Sequence, residues 1–274
     1  SLEETIKENQ ETIKWYAKRK IPVEVNESHQ WSLRDAHDSL AVAMAFLAAY
    51  NAKKLGVKYY VSQYMFNTPP GTSPKMDLAK MLAKKEIIES LQNNNFKVFT
   101  QVRAGLSSFS SDMDVAKGQL SASAVLSLAL KPHILHVVGF SEGHHAVTAG
   151  ELIESCKIIH GVLKNSLYDF PDTTLDSKVQ QRKKELIKEA KILLKAITSL
   201  KIAEKGDPLT NPEIIAKAIR VGLLDAPHLR GNKVAKGEVV TKIVNGKCVV
   251  INSITGKEAN ETERSRMILE EINV

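Results

Sequence analysis

The chain has 274 residues, of which 43% are hydrophobic, 25% are charged and 5% are aromatic. These proportions are those of a folded globular protein, and they exclude intrinsic disorder, collagen and disulfide-dense scaffolds. The formal net charge of +7 permits contact with polyanions, but nine basic and three acidic residues between Lys178 and Lys205 account for +6 of it. The excess charge therefore belongs to one segment.

The two cysteines, Cys156 and Cys248, lie far apart and have no metal-binding spacing, which favours a reducing compartment. The longest apolar stretch, Leu40 to Tyr50, is too short to cross about 30 Å of hydrocarbon. The first residues also lack the basic and apolar regions of a secretory signal. We expect a cytoplasmic protein without a membrane partner.

The first 165 residues alternate between helical and strand periodicity. Strand patterns cover 21–26, 57–64, 97–104 and 134–140. Helical patterns cover 3–19, 35–54, 77–92, 112–130 and 148–165. Two of these helices are preceded by capping-box patterns, at Ser32–Asp35 and at Thr148–Glu151. Four consecutive βα units predict a parallel sheet with right-handed crossovers.

The pattern changes after residue 165. A linker over 166–177 leads to a basic helix over about 176–205, and the pattern Thr210–Glu213 caps a further helix that ends near Gly222. A β-hairpin is predicted over 238–251, turning at Asn245-Gly246, and a last helix over 260–272. We therefore predict two regions: four βα units over 1–165, and a helical region with a β-hairpin over 166–274.

The predicted fold class is α/β, built as half or part of a TIM-type barrel. Four βα units are half of an eight-stranded barrel, and four parallel strands alone would expose two sheet edges. We expect the barrel to be completed by further sequence or by a partner. The alternative is an open sheet covered by the C-terminal elements.

Functional residues are expected in the loops that follow the strands, because ligands of parallel α/β folds bind at the carboxyl ends of strands. After the first strand, Arg34 would hold a carboxylate and His29 would move a proton or bind a cofactor group. The same two residues could instead cap a helix and face water. After the second strand, Gln63 and Asn67 are candidate substrate contacts. The sequence has no glycine-rich phosphate-binding motif.

The third strand carries Gln101 and Arg103 on one face, since side chains alternate with period two. Arg103 lies near the carboxyl end of this strand and needs an anionic partner if it is buried. It is the strongest candidate for a contact with a substrate carboxylate. An ion pair inside the protein is the alternative.

The fourth strand is followed by Glu142, His144 and His145, which could bind a metal or act in acid–base chemistry. No HExxH or similar spacing accompanies them, so we assign no metal site. His136, inside the apolar strand itself, is predicted to be a core histidine.

Two segments carry a resemblance to a known family. The stretch from Ala129 to Thr148, and the stretch from Pro212 to Pro227 with its Gly-x-x-Asp-x-Pro pattern, resemble the large subunit of glutamate mutase (methylaspartate mutase), a cobalamin-dependent enzyme. The likeness spans roughly residues 21–230. It implies that the chain is the second half of a mutase-like barrel.

The resemblance also implies a reaction: the radical rearrangement of a small carboxylate or amino acid by an isomerase. Adenosylcobalamin would be supplied by a separate domain or subunit, because the binding signature Asp-x-His-x-x-Gly is absent from this chain. Glu142 corresponds to a family glutamate that contacts the adenosyl ribose, and His144 and His145 would lie nearby. The companion lysine of the family is replaced by Val138.

The resulting hypothesis places His29, Arg34, Arg103 and Glu142 in catalysis, and Arg34, Gln63, Asn67, Gln101 and Arg103 in substrate binding. We expect the protein to form a homo- or hetero-oligomer. One alternative is a metal-dependent barrel lyase or aldolase with Glu142, His144 and His145 as ligands. Another is a non-catalytic subunit whose basic helix binds an acidic partner. Nucleic acid is not expected, because few aromatic residues accompany the basic ones.

Overall fold

A four-stranded parallel sheet lies at the centre of the protein, as seen in a computed structural model that describes residues 1–166, 169–200 and 206–272. Its strands are β1 (Val23–Glu24), β2 (Tyr59–Phe66), β3 (Lys97–Ala104) and β4 (Ile134–Leu135), and they neighbour one another in chain order. A second, antiparallel sheet contains β5 (Thr241–Val244), β6 (Lys247–Ile251) and β7 (Glu258–Ala259).

Nine α-helices are present within the described residues. They are α1 (Leu2–Lys18), α2 (Glu27–Gln30), α3 (Asp38–Lys54), α4 (Pro74–Glu89), α5 (Met113–Ser127), α6 (Ala149–Ser166), α7 (Ser177–Thr198), α8 (Pro212–Arg220) and α9 (Glu261–Ile272). No helix in the described part of the chain is long and apolar enough to cross a membrane.

The predicted parallel βα units are confirmed. All neighbouring strands of the first sheet run parallel, and β3 has the predicted bounds. The outer strands β1 and β4 are shorter than predicted, because each has a pairing strand on one side only among the described residues. The sheet is open, and a barrel, which needs four further strands, stays a prediction.

One capping prediction is wrong and the other is confirmed. Residues Ser32–Arg34 form a 3₁₀ turn, and Asp35 has a φ of 62°, a left-handed conformation that cannot continue a helix. The long helix therefore begins only at Asp38. The Thr148–Glu151 box is formed, with the Thr148 N–H donating to Glu151 Oε2 over 2.8 Å and the Glu151 N–H donating to Thr148 Oγ1 over 3.3 Å.

One face of the parallel sheet is covered by helices. Tyr60, Tyr64 and Phe66 of β2 and Val98 and Val102 of β3 alternate with period two, and all belong to apolar clusters built with α3, α4 and α7. The helices between the strands thus pack on the same side of the sheet.

The opposite face, here called the open face, carries a different set of residues: Glu24, Tyr59, Val61, Gln63, Met65, Phe99, Gln101, Arg103, Ile134 and His136. None of its apolar members belongs to the three apolar clusters of the protein. Glu24, Ile134 and His136 are exposed, whereas Gln63, Met65, Gln101 and Arg103 are buried. This face is therefore where polar side chains can meet a ligand.

The predicted hairpin is confirmed as β5 and β6. Asn245 and Gly246, at the turn, both have positive φ angles, 50° and 75°, as a type I′ turn requires. The Gly246 carbonyl accepts a hydrogen bond of 3.0 Å from the Ser73 N–H, so the turn is fixed against the start of α4.

The predicted basic helix corresponds to α7, and residues 201–205 of that prediction lie outside the described residues. Helix α7 packs across α3, α4 and α9. Its buried residues Leu186, Leu193 and Ile197 share one apolar cluster with Tyr60 and Val98 of the parallel sheet. The C-terminal region and the βα units are therefore joined by a common core.

Buried charges meet at the first residue of α3. Asp38 accepts a 3.2 Å hydrogen bond from the Cys248 N–H and lies 3.3 Å from Arg182 Nη2 and 3.5 Å from Lys80 Nζ. All four residues are buried. Because an isolated buried charge is costly, α4, α7 and β6 are held to α3 by the need to keep these charges paired.

A second buried group joins α9 to the same place. Glu261 Oε1 lies 2.6 Å from His37 Nε2, and the Arg264 guanidinium donates to both Glu261 oxygens. Arg264 also donates to the carbonyls of Gly222 and Leu223. Burial opposes ionisation of Glu261, but the charges of Arg264 and His37 outweigh it and lower the pKa of Glu261 to about 2.

This ion pair predicts acid sensitivity. The pKa of Glu261 falls from 4.5 to about 2 on folding, so its stabilisation is complete above pH 4.5 and is lost as the pH falls through about 2. The loss amounts to roughly 3 kcal/mol. In Glu261→Gln the free energy of unfolding, measured by urea titration at each pH, should be lower at neutral pH and flatter across this pH window.

Glu263→Gln is the matched control, because Glu263 is exposed on the same helix. Its stability should follow that of the wild type. A Glu261→Gln profile that runs parallel to the wild-type profile between pH 4.5 and about 2 would contradict the assignment.

Candidate functional site

The polar side chains of the open face cluster near the carboxyl ends of β1 to β4. The register places Gln63 beside Gln101, Arg103 two residues further along β3, and His136 just past β4. His29 of α2 and Glu142, which follows β4, lie within electrostatic reach of Arg103. Five of the predicted site residues, His29, Gln63, Gln101, Arg103 and Glu142, are thus brought together.

Glu24 organises the two glutamines. Its Oε1 accepts a 2.6 Å hydrogen bond from Gln63 Nε2, and its Oε2 accepts a 2.8 Å hydrogen bond from Gln101 Nε2. Both amide NH₂ groups are therefore turned toward one carboxylate. Gln63 Oε1 is buried and makes no hydrogen bond of ordinary geometry within the described residues, but the Gln63 side chain interacts with the His29 ring and raises its pKa.

Arg103 is the central cation of the site. It is 9% exposed, its Nε atom has no acceptor, and no carboxylate of the described residues lies within 4 Å of its guanidinium. Burial lowers the pKa of Arg103 from its usual value, while the negative charges of Glu142 and Glu24 partly oppose this shift. Arg103 therefore has no ion pair within 4 Å among the described residues, and both alternatives, a substrate carboxylate and an ion pair inside the protein, stay predictions.

Two histidines flank this cation. Burial, followed by the positive charge of Arg103, lowers the pKa of both His29 and His136 from the ordinary 6.5. His29 Nδ1 lies 2.6 Å from Asn26 Oδ1, and the Gln63 side chain also interacts with the ring and partly opposes the lowering of its pKa.

His136 corrects a prediction. Its place in an apolar run predicts a core position, yet its side chain is exposed on the open face beside Arg103. The apolar neighbours Leu135 and Val137 face the helices instead. The alternation of side chains along a strand could have predicted the exposed position. His136 is two residues after Ile134, the partner of Gln101, and therefore faces the same side of the sheet.

Glu142 is held at the edge of the cluster. Its Oε1 accepts a 2.7 Å hydrogen bond from the Gly139 N–H. A Cβ atom on Gly139 would lie 3.2 Å from this oxygen and 2.5 Å from a methyl carbon of Val147. The glycine therefore allows the close approach that fixes the carboxylate.

Other predicted residues are placed differently. Arg34 is exposed and donates from Nε to the His29 carbonyl over 3.3 Å. The Asn67 N–H donates to Asp77 Oδ2 over 2.6 Å, so the backbone of Asn67 is bound to a buried carboxylate of α4. Arg34 therefore touches the cluster around Arg103 only through the His29 backbone, and no contact with this cluster positions the Asn67 side chain.

His144 and His145 form a separate exposed chain. Their Nδ1 atoms lie 3.0 Å apart, and His145 Nε2 lies 2.9 Å from Glu151 Oε1. Within the described residues no group of three or more His, Cys, Asp or Glu side chains is arranged to hold a metal ion. The metal-dependent alternative therefore finds no ligand set in Glu142, His144 and His145.

A concave region elsewhere in the protein is less suited to polar chemistry. It lies between the antiparallel sheet and α9 and is lined mainly by apolar residues. The buried charged side chains of this region already have partners within the protein. Asp225 accepts from the N–H groups of Gly237, Glu238 and Val239, and Arg264 binds Glu261. The open face is the better candidate site.

Comparison with known proteins does not name the site, because neither a protein-family model nor a curated protein matches the chain. The function is accordingly argued from the residues of the open face.

The electrostatic coupling in the cluster is testable by NMR. Removing the Arg103 charge in Arg103→Gln should raise the pKa of His29 and of His136, because that charge lowers both in the wild type. The measurement is a pH titration of the histidine ring signals. Arg266→Gln, which removes an exposed arginine of α9, should leave both values unchanged. Unchanged histidine titrations in Arg103→Gln would contradict the described cluster.

Proposed function

We propose that the chain binds a small carboxylate on its open face, as the substrate-binding part of a barrel enzyme of the mutase kind. The observation that carries the proposal is Arg103: its side chain is 9% exposed, its Nε is buried without an acceptor, and no carboxylate in the described part of the chain lies within 4 Å of its guanidinium. A buried cation of this kind is costly unless an anion reaches it. A substrate carboxylate supplies that anion through the two-pronged geometry that arginine favours.

The neighbouring groups complement the rest of a small substrate. Gln63 Oε1 accepts a hydrogen bond from a substrate N–H or O–H, and Glu24 keeps the amide in that orientation. His29 is the candidate base close to the same cation, because burial and the charge of Arg103 lower its pKa. The set can thus anchor a carboxylate, orient a second polar group and accept a proton.

The reaction class rests on the resemblance to the mutase large subunit. We propose rearrangement of a carboxylate or amino-acid substrate in a barrel of which this sheet is one half. Strands adjacent in chain order, with helices on one side, support the barrel part of this proposal. The remaining strands would come from further sequence or from a partner.

The cofactor of the resembling family fits these residues poorly. Adenosylcobalamin would meet Glu142, whose Oε1 is already held by the Gly139 N–H. Val138, at the position of the family lysine, is buried in an apolar cluster with Phe109 and Phe140 and brings no cation to the ribose. We therefore derive no catalytic step through cobalamin.

Carboxylate binding can be measured by isothermal titration calorimetry with acetate, succinate, glutarate and glutamate. Arg103→Gln should weaken the best of these ligands by about 10- to 100-fold, the usual loss for a hydrogen-bonded charge pair. Arg103→Lys should fall in between, because it keeps the charge without the planar fork.

Arg266→Gln provides the control, since it removes the same charge from a side chain that is 69% exposed on α9. Far-UV circular dichroism verifies that each variant is folded. Equal affinity of wild type and folded Arg103→Gln for every ligand would contradict the proposal.

Cofactor binding is tested separately by titrating the chain with adenosylcobalamin and following its visible absorption spectrum. We expect no saturable change, because the residue replacing the family lysine is the buried Val138. A saturable spectral change with the chain alone would show that the cofactor binds through other residues.

A further inference from the structure

A polar cavity of about 220 Å³ lies where α3, α7, the antiparallel sheet and the start of α9 meet. Its volume equals that of about seven water molecules at about 30 Å³ each, which is room for a small ligand. Glu258 and Asn260 of its lining are exposed, so the cavity opens to solvent on their side. Deeper in the protein its walls include His37, Arg182 and Glu189.

Two nitrogen atoms of this lining are buried without a partner in the described part of the chain. Arg182 is 7% exposed, and its Nη2 and Nη1 lie 3.3 Å from Asp38 and 3.5 Å from Glu185, but its Nε has no acceptor. His37 is 1% exposed, and its Nε2 lies 2.6 Å from Glu261, but its Nδ1 has no partner. Because buried polar groups are normally hydrogen-bonded, both atoms are free to bind an anionic group.

Glu189 supplies the opposite charge. It is partly buried, and no nitrogen of a lysine, arginine or histidine among the described residues lies within 4 Å of its carboxylate, since the ion pairs of α7 are made by other residues. Burial, followed by the negative charge of Glu261, raises the pKa of Glu189, while the charge of Arg182 and a hydrogen bond with Ser39 oppose this shift. A ligand cation would therefore be favoured beside this carboxylate.

We propose that the cavity binds a small zwitterion, an α-amino acid, with its carboxylate on Arg182 Nε and His37 Nδ1 and its ammonium group on Glu189. Both ends of the ligand then make hydrogen bonds between ionised groups, which are the stronger kind. His37 donates from Nδ1 when its ring is doubly protonated. The cavity shares no lining residue with the open face, so this inference is independent of the proposed carboxylate site.

Ligands that carry one charge suit the cavity less well. An anion such as phosphate would bring negative charge to Glu189, and a metal ion would meet the positive charge of Arg182. The other acid of the lining, Glu258, is already paired with Lys247 over 3.0 Å. No group of three or more His, Cys, Asp or Glu side chains among the described residues is arranged to hold a metal ion.

A ligand in this position connects two elements of the fold. His37 precedes the first residue of α3, whereas Arg182 and Glu189 belong to α7. The ligand would bind these residues only when α3 and α7 are packed together. Binding should therefore stabilise the folded chain in proportion to the ligand concentration, which a thermal shift measures alongside the affinity.

The test is isothermal titration calorimetry with glycine, alanine, serine, aspartate and glutamate. Arg103→Gln chains are used, so that binding on the open face does not contribute. At least one amino acid should bind saturably and raise the Tm. For alanine, the matched ligands propionate and ethylamine, which each lack one of its charges, should bind at least about tenfold more weakly.

Glu189→Gln should raise the Kd of the best amino acid by at least about tenfold, the usual loss for a hydrogen bond to a charged group. Arg182→Lys should also weaken it, because the lysine keeps a charge for Asp38 but has no Nε–H group. Glu263→Gln, which changes an exposed glutamate of α9, serves as the control and should leave the Kd unchanged. Far-UV circular dichroism verifies that each variant is folded, and the same comparison of Glu189→Gln is repeated with Arg103 present.

Three outcomes would overturn the proposal: no saturable binding of any of the five amino acids, equal affinity in folded Glu189→Gln, or propionate or ethylamine that binds as tightly as alanine. Binding that is lost in folded Arg103→Gln but kept in Glu189→Gln would place the amino acid on the open face. That result would overturn this inference while supporting the proposed function.

Discussion

The handedness of the βα connections is the constraint on which the rest of the structure depends. Crossovers between parallel strands are almost always right-handed, and strands that neighbour one another in chain order, as here, then place their helices on the same side of the sheet. That side becomes apolar, with Tyr64 and Val102 at its centre. The other side carries Glu24, Gln101 and Arg103, because the long connecting helices α3, α4 and α5 pack on the apolar side.

The start of α3 is the second organising point. Asp38 must be paired because it is buried, and its partners Lys80, Arg182 and the Cys248 N–H come from three different elements. Removing one member of such a group leaves an unpaired buried charge, which costs about 3–5 kcal/mol. These contacts specify how the C-terminal region packs on the βα units. Arg103 takes no part in them.

Part of this arrangement could be predicted from sequence because it depends on local periodicity. The alternation in Lys97–Ala104 defines β3, and the same alternation puts Gln101 and Arg103 on one face. The hairpin follows from Asn245-Gly246, whose backbone angles few other residues adopt so readily. The Ser32–Asp35 pattern misleads because Asp35 turns into the left-handed region.

Long-range partners could not be predicted in this way. Glu24 meets Gln63 and Gln101 only through the register of three strands, and a single sequence does not specify that register. Glu27, three residues further along the chain, instead pairs with the buried Lys84 at 2.5 Å. Lysine and arginine on a helix usually lie on its solvated surface. Only the packing of α4 and α7 shows that Lys80, Lys84 and Arg182 are buried.

The central claim is that the Arg103 guanidinium binds the carboxylate of a small ligand on the open face. The most direct measurement is NMR of the arginine Nε–Hε groups during titration with small carboxylates. The account predicts that the Arg103 signal shifts and saturates with at least one of them, while the exposed Arg266 signal stays in place. An Arg103 signal that does not respond to any of these ligands would contradict it.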